Sequence, residues 1–547
     1  MRRLPRSLLL SLTGLLLSTP VHGQAVTVGG TVRDSITRVG IDSAVVQFVS
    51  NLDPTEQYTV VANQFGNWTL TIQTTGVGPQ YTIPSSIRLE QNFPNPFNPS
   101  TTINFSIPEA GNVRITVYTI LGQQLDSRTA FLESGEYRID WTATGGAGVL
   151  FYSIELNGKT QTRKMVQLDG GRKGGLGVFV ASARPTASGS SGKLAIPTFS
   201  VSASKLGYES ASFDVELSDG MTIDFELVTI HSRAFVFDLH NDVLEKVVDG
   251  YQLGVHHAFN QSDLPRFQRG GVDAQMLSVW ADPGQFSAAP YARALQMIDS
   301  FQVQIQRNPL TFGQARTSAE INQLVGERKF AGVLGVEGGH AIEDDITKLM
   351  NLYDLGIRYM TITWNNSTSW ATAAPDAQSA TKGLSPFGEQ VIRTMDSLGI
   401  IIDVSHTGIK TIEDILTLTT HPIIASHSGA RTLRNHYRNL TDAQIVSIAQ
   451  TGGVIGVVFY PPFLSATGSA DIGTVIDHID YIRNLVGIDH IAIGSDFDGI
   501  EITPVGLEDV SKLPALTLAL LKRGYSVGDV RKILGENYLR VFEEVCH

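Results

Sequence analysis

From about residue 233 onward, short apolar runs alternate with stretches of helical spacing. The runs centre near Val236, Met276, Leu334, Met360, Ile402, Ile424, Ile455 and Ile491. Between them, segments such as 411–418 and 442–449 place apolar residues three and four positions apart, so periods of 2 and 3.6 alternate. Eight βα repeats predict a (β/α)8 TIM-type barrel over residues 231–547, with its functional site at the C-terminal ends of the strands. A doubly wound open sheet uses the same alternation and is the competing architecture. Ahead of the barrel the pattern changes. Residues 25–229 alternate Val, Thr and Ile with polar residues and turn-forming Gly and Asn, which predicts all-β sandwich modules.

Side chains that can bind metal end four of the apolar runs. His240 and Asp242 close Phe-Val-Phe-Asp-Leu-His-Asn-Asp, and Glu337 closes Val-Leu-Gly-Val-Glu. His406 closes Ile-Ile-Asp-Val-Ser-His, and His427 lies near the end of Ile-Ile-Ala-Ser-His-Ser. Residues two apart on a strand share a face, so His240 and Asp242 project together. A lone histidine at a strand end is usually structural. Five nitrogen and oxygen donors at one end of four strands suit zinc or a similar divalent ion in a hydrolytic site.

The ordered motifs around these donors carry a resemblance. They are Asp-Leu-His-Asn-Asp (238–242), Asp-Leu-Pro-Arg-Phe-Gln-Arg-Gly-Gly-Val (263–272), Gly-Val-Glu-Gly-Gly-His (335–340), Asp-Val-Ser-His (403–406), Ser-His-Ser (426–428), Arg-Asn-Leu-Thr-Asp (438–442) and Gly-Ser-Asp-Phe-Asp-Gly (494–499). Together they closely resemble the renal (membrane) dipeptidase family of zinc metallopeptidases, within the amidohydrolase-like barrels. The resemblance implies two zinc ions per subunit, one on His240 and Asp242, the other on His406 and His427, with Glu337 between them. It implies hydrolysis of dipeptides by metal-activated hydroxide. Arg438 resembles the residue that clamps the substrate's terminal carboxylate. Asp496, ending the eighth run, is expected either to move the water's proton or to anchor the substrate's ammonium.

One position departs from the family. Where the well-characterised dipeptidases carry a histidine that contacts the scissile carbonyl oxygen, this chain has Trp364, followed by Asn365 and Asn366. An indole N–H donates once and cannot become cationic. Losing such a donor costs on the order of a hundredfold in rate. Asn365 or Asn366 is expected to serve as substitute donor. Two alternatives follow: hydrolysis of another small amide, lactam or ester, and a catalytically weakened surface binding protein.

The front of the chain predicts export. A basic start, an apolar stretch over 7–18 and Val21-His22-Gly23 read as a signal peptide over 1–23, cleaved before Gln24. Residues 24–78 resemble the first half of a carboxypeptidase regulatory-like sandwich, whose closing strands are expected at 197–230. Between them, Gln-Asn-Phe-Pro-Asn-Pro-Phe-Asn-Pro-Ser-Thr-Thr (91–102) and Val-Tyr-Thr-Ile-Leu-Gly-Gln (117–123) resemble the immunoglobulin-like sorting domains of secreted bacterial proteins, placed at 79–170. A Gly/Ser-rich linker is expected over 171–196.

Composition narrows the partners. A net charge of −12 over 547 residues, without a basic patch, argues against nucleic acid. The single cysteine, Cys546, excludes an intramolecular disulfide and a thiolate metal site. No later apolar run is long enough to span a membrane. The expected partners are a dipeptide, a second copy in a homodimer, and the cell surface or secretion machinery through the β modules.

Overall fold

A computed structural model describes residues 25–546 except 52, 74–85, 98–99, 143–147, 168–174 and 184–197. The expected signal peptide therefore lies outside the described residues, as does most of the expected linker.

Alternation along the first β segments builds two facing sheets. Ala25–Asp34 pairs antiparallel with Asn67–Gln73 and parallel with Met221–Thr222 and Phe225–Leu227. Val45–Ser50 lies between Gln57–Val61 and Thr198–Ser204, and the latter also pairs with Ala211–Glu216. The inward residues Val28, Val32, Phe48, Trp68, Phe199, Val201 and Leu227 form one core. Chain segments on either side of 74–197 thus share a single apolar interior.

Residues between them form a second sandwich around Trp141, Tyr152, Ile139 and Ile154. One sheet holds Gly111–Thr119, Gln124–Leu132, Gly148–Leu156 and Lys159–Gln167; the other is centred on Ser100–Ile107 and Gly135–Thr142. Part of the expected linker is corrected here. Gly175–Leu176 and Val180–Ala183 pair with Gly135–Thr142, because Leu176 is buried and Phe179 packs on the same core.

The barrel strands are β1 (Phe237–Asp238), β2 (Ala274–Trp280), β3 (Phe330–Glu337), β4 (Ile357–Thr361), β5 (Ile401–Asp403), β6 (Ile424–Ser428), β7 (Val454–Val457) and β8 (Ile491–Ile493). They are parallel and hydrogen-bonded in sequence order. The ring is completed where the Leu239 amide donates to Ile493 O at 3.0 Å and Asp242 to Phe497 O at 2.9 Å. That closure removes the open-sheet alternative. A three-residue strand, Phe312–Gln314, adds to β3 outside the ring. The helix expected over 411–418 runs Ile409–Leu416, starting after Gly408. The one expected over 442–449 runs Asp442–Gln450, with Thr441 and Gln444 forming a capping box.

Inward positions follow the strand period. Ala274, Met276, Ala331, Val333, Tyr359, Ile401, Ile424, Val454 and Ala492 meet in one cluster. The last helix, Asn537–Val545, adds Tyr538, Val541 and Phe542 to it. Tyr538 and Phe542 contact Phe237 at ring distances of 4.6 and 5.9 Å. Apolar side chains therefore fill most of the lower lumen, and the side chains able to hold a metal gather at the C-terminal strand ends.

Candidate metal centre

The strand ends bring all five predicted donors together, and each is buried. His240 Nε2 lies 3.1 Å from Asp242 Oδ2 and 3.5 Å from Glu337 Oε2. The other oxygen of Glu337, Oε1, lies 3.0 Å from His406 Nε2 and 3.6 Å from His427 Nε2. His406 and His427 face each other, Nε2 to Nε2, at 3.0 Å. Asp496, just beyond β8, places Oδ1 4.0 Å from His240 Nε2. Two overlapping groups have ligand atoms within 4.8 Å of one another: His240, Glu337 and His427, and His240, Asp242 and Asp496. His406 and Asp496 hold left-handed backbone, at φ 64° and 63°. Such backbone costs roughly 1–3 kcal/mol for a residue with a side chain.

Each imidazole is oriented through its other nitrogen. His240 Nδ1 lies 2.7 Å from the Tyr359 hydroxyl, whose ring rises from the apolar layer below. Gly335 makes room for that ring, since a Cβ there would come within 2.5 Å of it. His406 Nδ1 donates to Asn365 Oδ1 at 3.0 Å. His427 Nδ1 lies 2.8 Å from Ser426 Oγ, which donates to Asp403 Oδ2 at 2.6 Å. An amide oxygen only accepts, so Nδ1 of His406 carries the proton and Nε2 presents its lone pair inward.

This donor set fits divalent metal ions. It offers imidazole and carboxylate without thiolate, as zinc centres of hydrolases do. Two observations are otherwise costly: Asp242 Oδ1 is buried with no hydrogen-bond partner among the described residues, and two histidine Nε2 atoms confront each other. A cation would satisfy both.

Charge is distributed unevenly. Burial opposes charge on His240, but Asp242 and Glu337 outweigh it and raise its pKa well above the ordinary range. Burial and the Arg438 guanidinium push His406 down to about 4. Burial, His240 and Arg438 push His427 well below its ordinary value. Asp496 is raised well above the usual carboxylate range by burial, with Asp242 and Glu337 adding to it.

Arg438 is buried in the loop after β6. Its Nη2 donates to His427 O at 3.1 Å, and its guanidinium lies over the Phe463 ring at 5.3 Å. Its Nε has no partner among the described residues. Asn439 staples this loop, accepting from Gly429 N and donating to Arg434 O and Phe463 O.

Trp364 is half-buried and stacks beside His406 at 6.1 Å and 28°. The carbonyl oxygen of the Asn365 side chain, the residue expected to contact substrate, is engaged by His406. Asn366 has a buried Oδ1 without a partner among the described residues. Sequence reasoning missed the roles of Tyr359, Asn365, Ser426 and Asp403 in orienting the histidines. It also missed Trp280, which contacts Trp364 at 5.1 Å. Only Trp280 had a readable signal: it ends an apolar strand as the donors do.

Residues 226–547 match the family model described as membrane dipeptidase, peptidase family M19. Residues 91–167 match the secretion system C-terminal sorting domain. An uncharacterized dipeptidase of Schizosaccharomyces pombe is 35% identical over 329 residues, which cover 56% of this chain and 80% of the relative. Among solved structures, dipeptidase AC, a metallopeptidase of family M19, is 28% identical, covers 57% of this chain and 99% of its own, and has a TM-score of 0.53. A metallopeptidase from Rhodobacter sphaeroides, solved with a phosphinate mimic of the dipeptide L-Ala-D-Ala, is 27% identical, with the same coverages and TM-score.

Proposed function

The chain belongs to the membrane dipeptidase family of metallopeptidases, and on that premise we propose that it is an exported dipeptidase with a two-zinc centre. The observation that carries this reading is Glu337, whose two oxygens turn to His240 on one side and to His406 and His427 on the other. His240 and Asp242 would hold one ion, His406 and His427 the second, and Glu337 would be shared. Bound there, zinc supplies Lewis acidity and lowers the pKa of water toward neutrality.

The remaining steps belong to the chain's own side chains. Arg438 pairs with the substrate carboxylate through its unpartnered guanidinium edge. Asp496, 4.0 Å from His240, takes the proton of the attacking water and returns it to the leaving amine, or receives the substrate ammonium. Tyr359, Asn365 and Ser426 keep the imidazoles in the tautomers that point Nε2 inward. A site that reads both termini admits only a very short peptide, because a longer one leaves a buried charge unpaired.

Trp364 supports a second reading, in which the substrate is another small amide, lactam or ester that needs no cationic donor at that position. Export rests on the expected signal peptide at 1–23 and the sorting-domain match at 91–167. No described helix is long and apolar enough to cross a membrane. Strand pairing of 25–73 with 198–227 supports one sandwich interrupted by a second domain. Metal analysis of the purified full-length protein, with hydrolysis of a dipeptide library, tests the proposal. Two equivalents of zinc and turnover confined to free dipeptides are expected. Turnover of longer or terminally blocked peptides at equal efficiency would defeat it.

A further inference from the structure

Two indoles stand at the mouth of the lumen, and the hydrolytic chemistry uses neither. Trp280 ends β2 with the same parity as the inward Ala274 and Met276, and it pairs in register with Glu337 across β2 and β3. Its side chain is thus directed to the rim beside the central carboxylate. Trp364, just after β4, lies 5.1 Å from Trp280 with the ring planes at 50°. It also lies 6.1 Å from His406 at 28°. Gly338 permits this approach: a Cβ there would lie 3.3 Å from Trp364 Cβ and 2.4 Å from the His340 ring. Both indoles are half-buried, and the Trp280 Nε1 is buried without a partner among the described residues.

The pair has a definite side. His406 touches His427 at 3.0 Å, and Arg438 donates to the carbonyl of His427. Asp496 and Asp242 stand around His240 instead. A dipeptide with its carboxylate on Arg438 and its ammonium toward Asp496 would turn its second residue to the His406 side, beside the indoles. An indole there supplies flat apolar area and at most one hydrogen bond.

We propose that Trp280 and Trp364 form an oblique aromatic wall that receives the side chain of the dipeptide's C-terminal residue and selects bulky apolar or aromatic side chains. This rests on the dipeptidase reading and adds its substrate class. Burying a phenyl ring on such a wall predicts a roughly tenfold to hundredfold preference over a methyl group.

The test uses the zinc-loaded full-length protein with Ala-Phe, Phe-Ala and Ala-Ala, each with an L or a D second residue. In parallel, non-hydrolysed phosphinate mimics of Ala-Phe and Ala-Ala are titrated by quenching of intrinsic fluorescence. Ala-Phe is expected to exceed Ala-Ala at least tenfold in kcat/KM, mainly through KM, with Phe-Ala gaining little. The mimics should show the same ratio in Kd. Trp280→Ala and Trp364→Ala should each reduce the ratio to about threefold or less, and Trp364→Phe should keep most of it. Metal content and the Phe variant separate this from misfolding. Equal values for Ala-Phe and Ala-Ala, a preference that survives both Ala variants, or one that follows Phe-Ala would overturn the wall. No turnover of any dipeptide, with selective binding of the mimics intact, would overturn the dipeptidase reading and leave the wall standing.

Discussion

The two halves of the candidate metal centre meet at Glu337 yet carry opposite electrostatic characters. Around His240 stand Asp242, Glu337 and Asp496, within 3.1, 3.5 and 4.0 Å. Around His406 and His427 the guanidinium of Arg438 acts on both, and His240 adds to it, as the larger of the two at His427. The same residue type is therefore driven in opposite directions: His240 toward the cation, His406 and His427 toward neutral imidazole. Burial is common to all three histidines, so it does not explain the difference. The neighbours decide it.

Removing the shared residue should erase the contrast. Glu337→Gln should lower kcat/KM by about a thousandfold and release at least one ion, since a neutral amide cannot balance two dications. Metal analysis and steady-state kinetics read this, and two retained equivalents with full turnover would refute the bridging role. Next in size, Arg438→Ala should cost about a hundredfold on free dipeptides. It should cost little more on amidated ones, because both changes remove the same ion pair. Additive losses would mean that the carboxylate sits elsewhere.

A finer division comes from the orienting residues. Tyr359→Phe should loosen the ion on the His240 side and Asn365→Ala the ion on the His406 side, each by about tenfold to a hundredfold in affinity. Chelator competition resolves the two, and equal loosening of both ions by either variant would show that the halves are not separate. A last effect isolates burial from neighbouring charges. Asp273, just before β2, accepts from Val236 N at 2.9 Å, a bond that lowers its pKa, but burial outweighs it and pushes it up to about 6 from 3.8. Its folded form holds the proton longer than the unfolded form, so ionisation costs stability. The cost is absent below about pH 4 and complete above about pH 6. Asp273→Asn should therefore stabilise by about 3 kcal/mol at pH 8 and by much less at pH 4. Chemical denaturation at the two pH values checks it, and an equal gain at both would remove the titration from the explanation.

Much of this was legible in the chain because ligands at barrel strand ends interrupt apolar runs. His240, Glu337, His406 and His427 are conspicuous where the neighbouring residues are Val, Leu and Ile. The eight runs were legible for the same reason. Phe312–Gln314 was not, since three residues carry too little period. Partners of the histidines stayed hidden because each pair is assembled across strands: Tyr359 on β4 reaches His240 after β1, a relation that no spacing encodes. Trp280 ends its apolar run as the donors end theirs, and the register with Glu337 is what places it at the rim. The Gly-rich run over 171–196 masked the pairing of 175–183, because glycine weakens the alternation by which strands are read.

The first sandwich carries a consequence for the order of assembly. Thr31 donates to Asp224, 193 residues away, and the same strand is closed by Phe225–Leu227. Within the intervening domain, a distant contact such as Gln161 with Ile87 spans 74 residues. Loop closure costs only about 0.6 kcal/mol per doubling of length, so the long detour hardly weakens the finished sandwich. It does slow the search for the closing strands, since contacts so distant in sequence form late. The inner domain should therefore complete first during refolding. Its compact fold would then bring the two halves of the outer sandwich within reach, so that an interruption in sequence becomes a guide in time.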